Sequence, residues 1–218
     1  MAEMSRDARE VDAGSARVAI ADLGIGNFAA LAKMVERLGA SARRVADPSG
    51  LADASHVILP GVGAFDFAAR VLDQGGWREP LLRILTAGDR PVLCVCVGMQ
   101  LLATGSAEGP GAGLGYLAAT CERLPDIPGL KIPHMGWNTL QVRRPSALFP
   151  GDEESRFYFV HSYVMTCANP EDIVATAHYG TDFPAVVARG AVTGVQFHPE
   201  KSHRFGLRLI ERFLATSC

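Results

Sequence analysis

The sequence predicts an α/β fold with a mostly parallel central sheet flanked by helices and additional antiparallel strands in its second half. Three observations predict it. Short apolar runs over 17–22, 57–59 and 91–95 each pass through a turn into helical spacing. Runs that are apolar on both faces are strands covered on both sides by helices, the pattern of parallel sheets. Beyond Gly105 the helical spacing gives way to strand-like segments at short intervals, which implies hairpins.

Residues 17–22, RVAIAD, are apolar and β-prone, and the turn Leu23-Gly24-Ile25-Gly26 ends them. Asn27 then offers a side-chain oxygen to cap a helix whose Phe28, Leu31, Val35 and Leu38 share one face, with Gly39 placed as a C-terminal cap. Residues 57–59 form a short buried strand stopped by Pro60-Gly61-Val62-Gly63, and apolar positions over 65–85 imply one or two helices broken near Gly75-Gly76. The run over 91–95 is the next strand, and 98–104 take on helical character through Met99, Leu101 and Leu102. A glycine-rich loop reaches Gly115, after which strands are expected over 116–124, 137–142, 157–164, 173–179, 185–188 and 192–197. A helix over 202–215 closes the chain, with Phe205, Leu209 and Phe213 spaced by four.

A chain of 218 residues, 48% hydrophobic and 20% charged with 23 glycines, is sized for one core-bearing domain rich in tight turns. Residues 1–16 read as a polar N-terminal tail and 17–218 as a single domain. The formal net charge of -2 supplies no global positive field, so neither nucleic acid nor a membrane surface is an expected partner. The longest apolar stretch falls well short of the roughly 18 residues of a membrane span, and the tail has no signal-peptide core, so a cytoplasmic protein is expected. Five scattered cysteines do not suggest a disulfide framework. Cys94 and Cys96 could be half of a zinc site, but no second close pair completes four ligands, so neither metal nor cofactor is expected.

The chemistry concentrates at Leu93-Cys94-Val95-Cys96-Val97-Gly98-Met99-Gln100, where a buried strand ends at a cysteine and a helix begins almost at once. Such an elbow exposes the side chain at the carboxyl edge of the sheet and frees the following amide to meet an oxyanion. It also sets the sulfur near a helix N-terminus, which favours thiolate. Both flanking positions, two before and two after, are crowded and favour small residues; Gly98 fits, and Cys94 is larger than glycine. Free cysteine is among the most buried residue types, so Cys96 taken alone reads as an inert core thiol before it reads as a nucleophile.

Gln196-Phe197-His198-Pro199-Glu200, at the end of the last predicted strand, supplies corroboration. His198 and Glu200 are two apart and project to one side of an extended backbone, so Glu200 can orient the imidazole. His198 can then take the Cys96 proton and later return it to a leaving group. Pro60-Gly61-Val62-Gly63 follows a buried strand and belongs at the same sheet edge; it is either a plain strand-exit turn or a source of amides for an oxyanion.

These motifs resemble the class I, triad-type glutamine amidotransferases, through the Cys-x-Gly-Met-Gln elbow, the Pro-Gly-Val-Gly loop and Phe197-His198-Pro199-Glu200, over about 18–214. Narrower motifs are similar to those of the glutaminase subunits of imidazole glycerol phosphate synthase. They are Asp22-Leu23-Gly24-Ile25-Gly26-Asn27, Pro133-His134-Met135-Gly136-Trp137-Asn138, Phe157-Tyr158-Phe159-Val160-His161-Ser162-Tyr163, and His198-Pro199-Glu200-Lys201-Ser202. The resemblance implies a Cys96, His198, Glu200 triad that hydrolyses glutamine to glutamate and ammonia, the ammonia passing to a (β/α)₈-barrel cyclase partner in histidine biosynthesis. It implies that Gly63, Gln100, Ser162 and Tyr163 hold glutamine and that the amides near Val62, Gly63 and Val97 form the oxyanion hole. Asn27, Trp137 and Lys201 become candidates for the partner-facing surface, with core packing the other reading of Trp137. By the same resemblance the Pro60 to Gly63 loop is a place for regulation by the partner. The chain departs from the family pattern at Cys94, where glycine is usual, and at Val97, where leucine is common.

Two rivals remain. Gly24-Ile25-Gly26-Asn27-Phe28-Ala29 fits Gly-x-Gly-x-x-Ala with Asp47 downstream, a dinucleotide fingerprint, although 41–46 make a poor buried strand and Pro48 follows. Amidotransferases serving anthranilate, guanylate or carbamoyl phosphate synthesis would share the triad, and the narrower motifs argue against them.

Overall fold

The computed structural model of the protein describes residues 16–151 and 154–217. The predicted tail over 1–16 therefore lies outside the described residues except for Ala16, which is buried and accepts hydrogen bonds from the backbone and hydroxyl of Ser41. From there β1 (Arg17–Ala21) leads to α1 (Phe28–Arg37), β2 (Ser41–Val45), β3 (His56–Gly61), α2 (Phe65–Gln74), α3 (Arg78–Ala87), β4 (Val92–Cys96) and the single turn α4 (Val97–Gln100). The second half carries β5 (Gly105–Ser106), β6 (Gly109–Ala112), β7 (Ala119–Arg123), β8 (His134–Thr139), β9 (Gln141–Val142) and β10 (Arg156–His161). It continues with β11 (Tyr163–Cys167), β12 (Ile173–His178), β13 (Asp182–Arg189), β14 (Val192–Val195) and α5 (His203–Ala215).

Among the described residues, an eight-stranded sheet runs in the order β2-β1-β3-β4-β14-β13-β12-β9. It is parallel from β2 to β14 and antiparallel beyond. The predicted mixed sheet is thus the observed one. β10 pairs with β8, and a four-stranded sheet runs β11-β7-β5-β6. β3 and β4 are buried along their whole length, as continuous apolar runs require of strands covered on both faces.

The differences from the predicted elements have local causes. β2 is a strand, yet an exposed edge one that shows Ser41, Arg43 and Arg44 to solvent and pairs Arg44 with Asp22, so it lacks the apolar run of a buried strand. Asp47 caps the turn that follows through Ser49. The helix expected over 98–104 is one turn, because the carbonyls of Leu101, Leu102 and Ala103 accept from the amides of Leu114, Leu117 and Gly115 instead of continuing a helix. The strand expected over 157–164 breaks at Ser162 into β10 and β11, whose partners lie in different sheets. Within the expected glycine loop, β6 packs on α2, with Asp66 accepting from the Gly111 amide.

Candidate active site

Three parallel strands, β3, β4 and β14, end at one edge of the large sheet, where Gly61 is paired with Cys96 and Val95 with Val195. In open parallel sheets the crevice at this edge is where ligands bind. Cys96 stands at the turn from β4 to α4 with φ 54° and ψ -111°, a left-handed backbone that costs a side-chain-bearing residue about 1–2 kcal/mol. The surroundings hold it there. A Cβ on Gly98 would stand 2.0 Å from the carbonyl oxygen of Leu59, and one on Gly61 2.7 Å from the Gly98 amide nitrogen. Glycine at both positions lets α4 sit directly on β3, which is the elbow the spacing of Cys96 and Gly98 predicted. Because α4 is a single turn, its dipole is small, and the polarity around the sulfur comes from individual neighbours.

Cys94 is fully buried in the middle of β4, paired laterally with Leu59 on one side and Gly194 on the other. Gly194 has no side chain, and a Cβ there would meet Met99 at 2.8 Å. Laterally paired residues point to the same face, so the Cys94 side chain lies on the face where Gly194 is bare. Burial pushes the Cys94 thiol far above its ordinary range, which makes it a packing residue and not a second nucleophile.

His198 reaches the same edge from the chain after β14. Its amide donates to the Tyr158 carbonyl at 2.9 Å, in an isolated antiparallel bridge to β10. Ser202 completes the clamp: its hydroxyl donates to the His198 carbonyl at 2.6 Å and accepts from the Tyr158 amide at 3.0 Å. The imidazole Nδ1 lies 2.9 Å from Glu200 Oε1, with both side chains buried. Among the described residues His198 Nε2 and Glu200 Oε2 are buried polar atoms without a hydrogen-bond partner. Such atoms are rare in folded proteins and mark places where chemistry, and not stability, has set the residue. Burial alone would lower the pKa of His198; the Cys96 sulfur and the Glu200 carboxylate overcome it and raise the imidazole to about 9.

A cleft of about 570 Å³ opens over these groups. Its walls include every residue singled out from the sequence for substrate or oxyanion contact: Val62, Gly63, Val97, Gln100, Ser162 and Tyr163. Asn27 and Lys201 stand at the same cleft, Asn27 also capping α1 by accepting from the Ala30 amide. Trp137 lies outside it on β8, 40% exposed and stacked on His203, with Met135 of the same strand 61% exposed. Core packing is therefore not the role of Trp137.

Sequence reasoning missed three polar side chains of the site. Gln196, fully buried, accepts from Gln100 Nε2 at 3.0 Å and places its own Nε2 3.7 Å from Cys96 Sγ. Glu108 lines the cleft and accepts from the Phe65 amide at 2.7 Å, at the start of α2. Ser202 is the clamp described above. A signal for Gln196 existed, since a glutamine between Val195 and Phe197 in a buried run must find a polar partner.

The glutamine amidotransferase class-I family profile matches residues 19–216. The imidazole glycerol phosphate synthase subunit HisH of Bdellovibrio bacteriovorus is 44% identical over 200 residues, which cover 90% of this chain and 98% of that one. Subunit HisH 2 of the same synthase from Nitrobacter winogradskyi is 45% identical over 207 residues, 91% of this chain and 98% of that one. Among solved structures, one described as a glutamine amidotransferase superposes with a TM-score of 0.71 at 24% identity, covering 91% of this chain and 98% of that one. PurLQS from Thermotoga maritima gives a TM-score of 0.70 at 19% identity, covering 91% and 97%. At such identities the structural likeness is one of fold.

Proposed function

From the premise that the chain belongs to the class-I glutamine amidotransferases, in the branch of the HisH subunits, we propose that it is the glutaminase subunit of imidazole glycerol phosphate synthase in histidine biosynthesis. In this reading residues 17–218 are one amidotransferase domain working in the cytoplasm. The single observation that carries the mechanism is the state of His198. Its Nδ1 is held by Glu200 at 2.9 Å, its Nε2 is unpaired, and the Cys96 sulfur helps keep it charged.

With the proton on His198, the Cys96 thiolate attacks the carboxamide carbon of glutamine, forming the carbon–sulfur bond and an oxyanion. The amides at Val62, Gly63 and Val97 receive that oxyanion. His198 Nε2 gives its proton to the nitrogen as the carbon–nitrogen bond breaks, releasing ammonia and leaving a glutamyl thioester. Water then attacks the thioester while His198 takes its proton; the carbon–sulfur bond breaks, glutamate leaves, and thiolate and imidazolium return. Glu200 fixes the tautomer throughout. Gln196 donates to the sulfur, Gln100 with the Ser162 and Tyr163 backbone binds the amino-acid end, and the Glu108 carboxylate suits its ammonium group.

The ammonia is used by a (β/α)₈-barrel cyclase, with Asn27, Trp137 and Lys201 facing it and Met135 extending that surface. Partner binding acts on the Pro60 to Gly63 loop, aligning its amides with the oxyanion. Glutaminase activity measured with and without the barrel subunit and its nucleotide ligand tests class, partner and coupling at once. Turnover in the complex that collapses to background in Cys96→Ala, with glutamine still bound, is expected. Retained turnover in that variant removes Cys96 from the mechanism, and equal activity of the isolated chain removes the regulated loop.

A further inference from the structure

At the wall of the cleft, with His161 among its lining residues, lies a buried pair of imidazoles that the mechanism does not use. His161 ends β10, and its Nδ1 lies 3.0 Å from the Tyr163 carbonyl oxygen, two residues on. Its Nε2 lies 2.9 Å from Nδ1 of His134, and His134 Nε2 lies 3.3 Å from Nδ2 of Asn138. Asn138 is itself oriented, since Nδ2 donates to the His178 carbonyl at 2.8 Å and Oδ1 accepts from the Thr139 amide at 2.8 Å.

These contacts fix every proton. A carbonyl only accepts, so His161 carries its proton on Nδ1. A neutral ring then has a bare Nε2, which accepts from His134 Nδ1–H, and the bare Nε2 of His134 accepts from Asn138. All donors point one way, from Asn138 towards Tyr163. Burial keeps both rings uncharged at neutral pH, holding His134 at about 4 and, with the neighbouring His134 adding to it, His161 at about 3.

The geometry explains why this chain matters at the cleft. β10 pairs with β8 and β11 with β7, in separate sheets, and Ser162 alone joins them. The His161 side chain closes a hydrogen-bonded ring over that residue. The Tyr163 carbonyl it holds also accepts from Gln100 Nε2 at 3.1 Å, and Gln100 reaches Gln196 and through it Cys96 Sγ. We propose that His161, locked in one tautomer by His134, is a positioning residue for glutamine, pinning the Ser162–Tyr163 backbone and the Gln100 amide at the floor of the cleft. The proposal rests on the glutaminase reading for its substrate; the tautomers it requires do not.

Two measurements test it. In the complex with the cyclase, His161→Leu is expected to raise the KM for glutamine about tenfold, the effect of one lost hydrogen bond, with kcat falling less than about threefold. His161→Asn, whose amide reaches the place of Nδ1–H, is expected to bring KM back to within about threefold of the wild type. An unchanged KM in His161→Leu, or equal KM in the two variants, overturns the proposal. Independently of activity and of any variant, long-range proton–nitrogen correlation spectra of histidine-labelled wild-type protein should give both rings neutral with the proton on Nδ1. A proton on Nε2 of either ring overturns the proposal as well. No turnover by the wild-type complex would sink the glutaminase reading alone, because the tautomer spectra still decide the state of the pair.

Discussion

Replacing Glu200 by Gln separates the charge of this carboxylate from its hydrogen bond, because a glutamine Oε1 can still accept from His198 Nδ1. The wild-type imidazole stands at about 9 against an ordinary 6.5, a rise worth about 3 kcal/mol in favour of imidazolium. Burial opposes that rise; Cys96 is the larger support and Glu200 the next. A neutral isostere that removes about 1.4 kcal/mol of that support lets the imidazole lose its proton about one pH unit earlier. The variant also puts an amide nitrogen where Glu200 Oε2 is buried without a partner, which adds about 1–3 kcal/mol of strain on the pair. The assay is ammonia release by the complex between about pH 6 and pH 10, with kcat/KM reporting the free enzyme. The basic limb, near 9 in the wild type, is expected near 8 in Glu200→Gln, with kcat/KM down roughly 10- to 100-fold. The stability sign follows from the same rise: a group raised from 6.5 stabilises the fold below 6.5 and loses that contribution as pH passes about 9. The melting gap between wild type and variant should therefore be widest on the acid side and narrow as pH passes about 9 to the remainder set by the buried amide. A basic limb that stays where it was refutes the idea that Glu200 sustains the His198 charge.

Gly98→Ala forces a Cβ to within 2.0 Å of the Leu59 carbonyl oxygen, a backbone atom that cannot rotate away. Its cost is expected at or above the upper end of ordinary overpacking, about 3 kcal/mol, read as a fall in the urea midpoint; a near-neutral value would mean the elbow is not seated on β3. Cys94→Gly removes a buried thiol from a central strand and should cost about 2 kcal/mol while leaving glutamine turnover within about threefold. Turnover rising by orders of magnitude would identify Cys94 as an obstruction in the elbow. Finally, burial lowers His134 from 6.5 to about 4 and His161 to about 3, so the unfolded chain takes up protons first as pH falls. Their contribution is complete above 6.5 and is lost progressively below it, about 3 kcal/mol for each ring and on the order of 6 kcal/mol for the two together by about pH 4, in urea titrations at fixed ionic strength. An unfolding free energy that is flat across that window would mean that the rings titrate normally.

The parallel half of the fold was legible because buried strands announce themselves: β1, β3 and β4 are apolar on both faces and each is followed by helical spacing. β2 escaped that test for a physical reason. An edge strand with one neighbour needs no apolar run, and its Arg43 and Arg44 make it a poor match to a buried strand. The break at Ser162 was equally hidden, since Phe157 to Val164 keeps strand-forming residues throughout and only the choice of pairing partner changes there. A composition window sees the propensity for extended backbone and cannot see which sheet receives it.

The site divides along a similar line. Cys96 with Gly98, and His198 with Glu200, are related over two residues, so local backbone geometry alone brings each pair into working position, and spacing reveals them. Gln196, Glu108 and the His134–His161 pair act through partners 100, 43 and 27 residues away, and no periodicity relates those positions. What could have found them is a demand and not a pattern. A glutamine inside a buried strand and histidines that become buried must each satisfy their hydrogen bonds or weaken the fold. At this sheet edge those demands are met by one another, Gln100 to Gln196 and His134 to His161, so the polar groups that hold the cleft's floor in shape are the same ones that make it safe to bury. That is why the polar floor and the apolar core have to be specified together, and why altering one imidazole should register at a sulfur it does not touch.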